Sequence, residues 1–269
     1  MPLSSIKKTT TRWAGFAVVA LALSVVFASC KDQSVALPAT GADYYPVAVG
    51  NFWVYAVTDT TWSAAAVGMP SVSTVSKYQF KETVTEAFID AAGQKAYRMV
   101  RAKMGPATTT WLEDSVFVVS ATAQSVVVNR NNTRTVELIF PVKEGRSWNF
   151  NAYNNNFNDT IRSETRRSSA VGQPYTTSST PTTPAVVYPA TLTTTNTGAA
   201  TENSLLKRIS YQQVFAKGVG PVFRQRVYLV FFNYVDQSPG PNNGHQVYPA
   251  NSYTSAFSRR EVLITYGLQ

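Results

Sequence analysis

Cysteine and histidine are nearly missing from these 269 residues: there is one of each, Cys30 and His245. A single cysteine excludes an internal disulfide and a cysteine-rich metal site. His245 sits in Pro241-Asn242-Asn243-Gly244-His245 with no acid beside it, whereas a metal normally draws two or more His, Cys, Asp or Glu ligands. It reads as a surface-loop histidine, and no metal or other cofactor is expected. Charge is sparse too, at 14 % of residues, with 24 Lys+Arg against 15 Asp+Glu. The densest basic groups are Arg162, Arg166 and Arg167, then Lys207 and Arg208. Neither is interleaved with aromatics, so both read as solvated loop and no nucleic-acid partner is expected. A Gly-x-Ser-x-Gly nucleophile elbow is absent. Glu113-Asp114 falls in a strand-like run, where adjacent side chains face opposite ways, so the two cannot work as a paired acid and base. Gly218-Val219-Gly220-Pro221 lacks the strand-to-helix setting and the Lys-Ser/Thr of a phosphate loop. No catalytic residue is assigned, and the chain is expected not to be an enzyme.

Long apolar runs are missing except at the start. Lys7, Lys8 and Arg12 form a basic segment without acids, Trp13 to Phe27 is apolar, and Ala28 and Ser29 are small. These are the three parts of an export signal over residues 1–29. The apolar run falls short of the roughly 20 residues a spanning helix needs. Phe27-Ala28-Ser29-Cys30 resembles a bacterial lipobox, with Phe where Leu is usual. That resemblance implies a lipid-modified Cys30, with a diacylglycerol on its sulfur and a further acyl chain on its amine. Several chains anchor stably where one is marginal. Lys31 stands where Asp would imply inner-membrane retention, which points to the outer membrane. Lys31-Asp32 also resembles a shortened form of the charged surface-export tag of Bacteroidetes lipoproteins, which leaves the periplasmic and cell-surface faces both open.

Beyond the signal, the three basic residues lost leave 21 Lys+Arg against 15 Asp+Glu over 240 residues. Residues 30–43, with Pro38 and Gly41, read as a lipidated tether. The rest, 44–269, reads as a β-domain. Thr, Val and Tyr dominate, and helical periodicity is absent. Strands are expected over Lys77–Ile89, Lys95–Met104, Thr109–Ser120, Gln124–Arg130, Thr133–Phe140, Ser210–Ala216, Val222–Tyr234 and Arg260–Tyr266. Turns fall at Ala91–Gln94, Asn131-Asn132 and Gly218–Pro221. Tyr45-Pro46-Val47-Ala48-Val49-Gly50-Asn51-Phe52-Trp53-Val54-Tyr55 returns as Phe140-Pro141-Val142-Lys143-Glu144-Gly145-Arg146-Ser147-Trp148-Asn149-Phe150. Pro ends one extended stretch, Gly permits a turn, and Trp opens the next strand toward the core. Trp53 and Trp148 are expected to be buried equivalents. The repeat implies two related sheet units or one reused corner. The fold class is all-β, a curved antiparallel sheet or a sandwich-like domain. Residues 154–205, rich in Thr, Ser, Asn and Pro, are expected to be a long polar surface excursion with a short strand at Val186–Tyr188 at most.

Tyr45–Tyr55, Phe140–Tyr153 and Tyr211–Arg224 together resemble Bacteroidetes outer-membrane lipoproteins of unassigned function. The resemblance implies an antiparallel sheet curved over a core and brings no catalytic residues. Asp159-Thr160-Ile161 resembles the acceptor for protein O-glycosylation in Bacteroidetes, at Thr160; Asp59-Thr60-Thr61 and Asp114-Ser115-Val116 match it in strand-like surroundings. Three functions fit. The first is a non-enzymatic envelope lipoprotein, its partners the membrane at its anchor and an envelope protein, glycan or lipid. The second is a carrier of a lipid or other apolar ligand in a concave sheet, which needs an apolar cavity. The third is an envelope hydrolase, which needs converging carboxylates with displaced pKa values.

Overall fold

The computed structural model describes residues 40–153, 164–179, 184–197 and 202–269. All belong to the second of two units, Ala39–Gln269. A 3-10 turn at Ala42–Tyr44 leads into β1 (Phe52–Trp62), β2 (Ser73–Ile89), β3 (Lys95–Met104), β4 (Leu112–Ala121), β5 (Ser125–Arg130) and β6 (Thr133–Ile139). Then come β7 (Ser147–Asn149), β8 (Thr165–Thr176), β9 (Val187–Thr197), β10 (Glu202–Asn203), β11 (Lys207–Ala216) and β12 (Gly220–Phe231). The chain ends with β13 (Tyr234–Val235), β14 (Gln246–Val247) and β15 (Tyr253–Gly267). The expected all-β class is what the structure shows.

Every ladder is antiparallel, and the main sheet runs β6-β5-β4-β3-β2-β1-β15-β12-β11-β9-β8-β7. Only β10, paired to β11, and the ribbon β13-β14 lie off that path. Almost every strand therefore pairs with its neighbour in sequence, as short turns between antiparallel strands require. The two ends of this order meet. The Val136 N–H of β6 donates to the Phe150 carbonyl just after β7, at 2.9 Å. The sheet curls on itself until it is nearly a barrel. Arg224 on β12 and Glu82 on β2 give a second measure. They stand three ladder steps apart, roughly 14 Å on a flat sheet with strands about 4.8 Å apart. Their side chains nevertheless meet at 3.1 Å.

The interior follows from alternation. On β2, Tyr78, Phe80, Glu82 and Val84 are buried at every second position. On β1, Trp53, Tyr55 and Val57 do the same. Met99, Phe117, Val126, Leu138, Leu192, Val214 and Leu263 join them in one core. The segment before β1 is part of it: Tyr44 and Tyr45 are buried, with Tyr45 tilted against Phe215.

Three sequence expectations are corrected. The first concerns 154–205. Its described residues carry β8 and β9, which pair with each other through most of their length, and β9 also pairs with β11. Thr191, Thr194, Asn196 and Leu192 are buried there. A paucity of large apolar residues did not mean exposure, because this wall faces partly polar surroundings. The Thr191 hydroxyl donates to the Gln173 carbonyl at 2.7 Å, and Asn196 Oδ1 accepts the Tyr211 N–H at 2.7 Å. Thr is also a good strand former. The second concerns the equal burial expected of Trp53 and Trp148. Both copies of the repeat open strands of one sheet, β1 in its middle and β7 at its edge. Trp53 is 1 % exposed whereas Trp148 is only partly buried, because an edge strand is covered on fewer sides. The third concerns β15, which starts at Tyr253, seven residues ahead of the expected Arg260.

The glycine turn before β12 has a specific role. Gly220 has φ +103, and a Cβ there would sit 3.1 Å from the Trp53 indole nitrogen. That nitrogen donates to the Val219 carbonyl at 2.7 Å. The turn packs its backbone on the ring, which glycine alone permits without strain.

Candidate functional site

Beside the core lies a cavity of about 510 Å³. It is bounded by β3, β4, β5, β6, β8, β11, β12 and β15, with Tyr45 reaching it from the segment before β1. Exposed Asn131 and Arg226 mark its mouth. Its walls are about half apolar, and their charge is basic. Six arginines line it (Arg101, Arg130, Arg166, Arg224, Arg226 and Arg259) against three glutamates, Glu137, Glu164 and Glu261.

Behind the wall stands Glu82, whose side chain is 2 % exposed. Arg224 approaches it with two nitrogens, Nη1 at 3.1 Å from Oε1 and Nη2 at 3.1 Å from Oε2. The Arg101 Nε donates at 3.1 Å, and its Nη2 makes a closer contact with the same oxygen. Arg224 also donates to Glu261 Oε2 at 3.0 Å. Burial by itself would raise the Glu82 pKa. The charges of Arg224 and Arg101 outweigh it and hold the carboxyl well below the ordinary carboxylate range. Burial works against the Arg224 cation as well, and Glu82 overrides it and raises that pKa. Tyr55 lies beneath the Arg224 guanidinium, and Phe80 lies 4.5 Å from that of Arg101. Aromatic faces thus sheathe cations that carboxylates neutralise.

Two further arginines are less well satisfied. Arg130 Nη2 stands 4.0 Å from Glu82 Oε1, beyond hydrogen-bond reach, and its Nε is buried without an acceptor. Burial, then repulsion from Arg101, lowers the Arg130 pKa. Its guanidinium lies 4.3 Å from the centre of the Phe117 ring. Arg166 is 4 % exposed and pairs with Glu164 through Nη2, while Nε and Nη1 are buried without acceptors. It rests between Phe150 at 4.1 Å and Tyr211 at 3.4 Å. The expectation of a solvated Arg162/Arg166/Arg167 loop is therefore corrected at Arg166, which points inward from β8. Arg167, one residue on, is exposed, as strand alternation requires.

Asp59, singled out by its glycosylation-like sequence, is instead paired. Arg259 donates to it at 2.8 and 2.6 Å, and the Tyr78 hydroxyl at 2.6 Å. Burial opposes ionisation there, but the hydrogen bonds from Arg259 and Tyr78 win, and its pKa is lowered. Glu113 and Asp114 are exposed on β4, and His245 is exposed in its loop. Among the described residues, no group of three or more His, Cys, Asp or Glu could hold a metal. Cys30, Arg162 and Thr160 lie outside the described residues.

The Glu82 cluster was missed from sequence, although a signal was present. Glu82 shares its parity with Tyr78, Phe80 and Val84, so alternation alone places a carboxylate inside. A buried carboxylate demands cations, and Arg101 is its direct β3 ladder partner. No sequence rule supplies Arg224, which arrives by curvature from 142 residues away.

No protein-family model matches the chain, and no curated protein matches it. Among solved structures, the chain is similar to a candidate lipoprotein from Parabacteroides distasonis, at 10 % identity and a TM-score of 0.29, over 83 % of this chain and 98 % of that one.

Proposed function

We propose that this is a lipid-anchored protein of the bacterial outer membrane whose β-domain binds an envelope component in its interior cavity without transforming it. The anchor rests on the lipobox-like Phe27-Ala28-Ser29-Cys30 and on the three stretches resembling Bacteroidetes lipoproteins. The observation that carries the binding reading is the Glu82 cluster. Its carboxylate is ionised and saturated by Arg101 and Arg224. Such a group neither gives nor takes a proton near neutral pH, which is what a hydrolase would ask of it. The basic lining likewise suits a polar ligand better than an apolar cargo. The cavity falls within the 300–1,000 Å³ that small-ligand sites occupy.

The test has two parts. Cys30→Ser should lose acyl-chain labelling and leave the detergent phase on partitioning. Unchanged partitioning refutes the anchor. Affinity capture from envelope extract with the full-length protein in detergent should recover a component, identified by mass spectrometry, that leaves unchanged on elution. Recovery of a cleaved or otherwise altered component refutes the non-catalytic reading.

A further inference from the structure

The cavity's charges do not balance. Six arginines line it. Glu137, Glu164 and Glu261 line it too, and Glu82 and Asp59, which pair with Arg224 and Arg259 from behind, bring the acids to five. One positive charge remains. Arg101 and Arg224 hold Glu82, Arg259 holds Asp59 and Arg166 holds Glu164. Arg226 is exposed at the mouth, and the less exposed Arg130 stands 4.0 Å from Glu82 Oε1, beyond hydrogen-bond reach. Two arginines of the lining also offer buried N–H groups with no acceptor, the partly exposed Arg130 at Nε and the buried Arg166 at Nε and Nη1.

We infer that the cavity binds a small polyhydroxylated acid, a sugar acid of one or two rings, with its anionic group seated on Arg130 and Arg166. This rests on the cavity being a binding site. Guanidinium forks suit a planar carboxylate, giving paired charge-assisted hydrogen bonds. The remainder of the lining suits hydroxyl groups: Thr133 and Thr135 carry hydroxyls, and Asn131, Gln213 and Gln225 carry amides, each able to donate and accept. A lipid tail would have to lie against the charged arginines and glutamates of this lining, and a protein segment would not fit a space of about 510 Å³.

The experiment is isothermal titration calorimetry on the full-length protein in detergent. The probes are digalacturonate, its neutral counterpart galactobiose, sodium sulfate and sodium phosphate. Digalacturonate should bind one to one, and its affinity should fall at least tenfold in Arg130→Gln and recover in part in Arg130→Lys. Raising NaCl from 50 to 300 mM should weaken it, since the mouth is open to solvent. Arg166→Lys should weaken it too, and circular dichroism confirms that each variant is folded. Equal binding of galactobiose, weakened by the same variants, overturns the anionic ligand and leaves the cavity as a binding site. Sulfate or phosphate binding as tightly as digalacturonate overturns the sugar. No binding by any probe, or binding indifferent to both arginines, overturns the inference outright while the Cys30 anchor stands or falls separately.

Discussion

Trp148 donates its indole N–H to the Val136 carbonyl at 2.8 Å, and Val136 in turn donates its backbone N–H to Phe150 at 2.9 Å. One residue of β6 is thus gripped twice by the short β7 segment, where the sheet's two ends meet. Replacing Trp148 by Phe keeps most of the ring and removes one of the two bonds. The expected loss is about 1 kcal/mol, read from urea denaturation. Amide exchange at Val136 should speed up more than at Leu192, deep in the sheet. Equal protection of Val136 in both proteins would count against the seam.

Trp53 should be far more costly to lose than Trp148. It is 1 % exposed and bonds to the glycine turn. Trp53→Ala should cost about 3–5 kcal/mol. Gly220→Ala attacks the same contact from the other side, combining φ +103 with a Cβ 3.1 Å from the indole nitrogen. It should cost about 1–3 kcal/mol and shift the tryptophan emission. A Gly220→Ala protein with wild-type melting and emission would show that the close approach is not needed.

Stability should depend on pH through Glu82. Its folded pKa lies below the free value of 4.5. The unfolded chain therefore takes up the proton first as pH falls. The stabilisation is complete above pH 4.5 and drains away as pH drops below it. Glu82→Gln leaves Arg101 without its acid and Arg224 with Glu261 alone, and should cost about 3–5 kcal/mol at pH 7. The gap between mutant and wild type should narrow at pH 3, measured as urea midpoints. A gap of constant width between pH 7 and pH 3 rules this out.

The Thr-rich stretch should resist shortening. Leu192 is fully buried on β9, and Leu192→Ala should cost about 2–5 kcal/mol. Replacing residues 165–197 by a flexible linker removes two strands from the sheet and should yield an insoluble or unfolded product. A soluble, cooperatively melting deletion would show that β8 and β9 are dispensable.

What could be read from sequence was whatever depends on neighbours along the chain. The hairpins from β2 to β6 and the turn at Asn131-Asn132 follow from alternation and turn residues, and the structure has them. Burial inside a polar-walled sheet was not readable, because Thr193 and Thr194 look alike in sequence whether they face water or an interior that hydrogen-bonds them. Arg166 shows the same limit: its two basic neighbours suggested a solvated patch, while strand parity turned it inward. The cavity depends on Arg101, Arg166 and Arg224 being brought to one lining from strands far apart in sequence, and local patterns carry no information on curvature.

β1 pairs with β15 along its whole length, from Phe52 opposite Gly267 to Trp62 opposite Ala256. One of the earliest strands to be made is thus completed by one of the last. Until Tyr253–Gly267 has been synthesised, β1 offers an unpartnered edge of the kind that recruits foreign strands. The sheet cannot ripen gradually from its N-terminus. The time β1 spends waiting for β15 therefore sets how long the chain is open to aggregation.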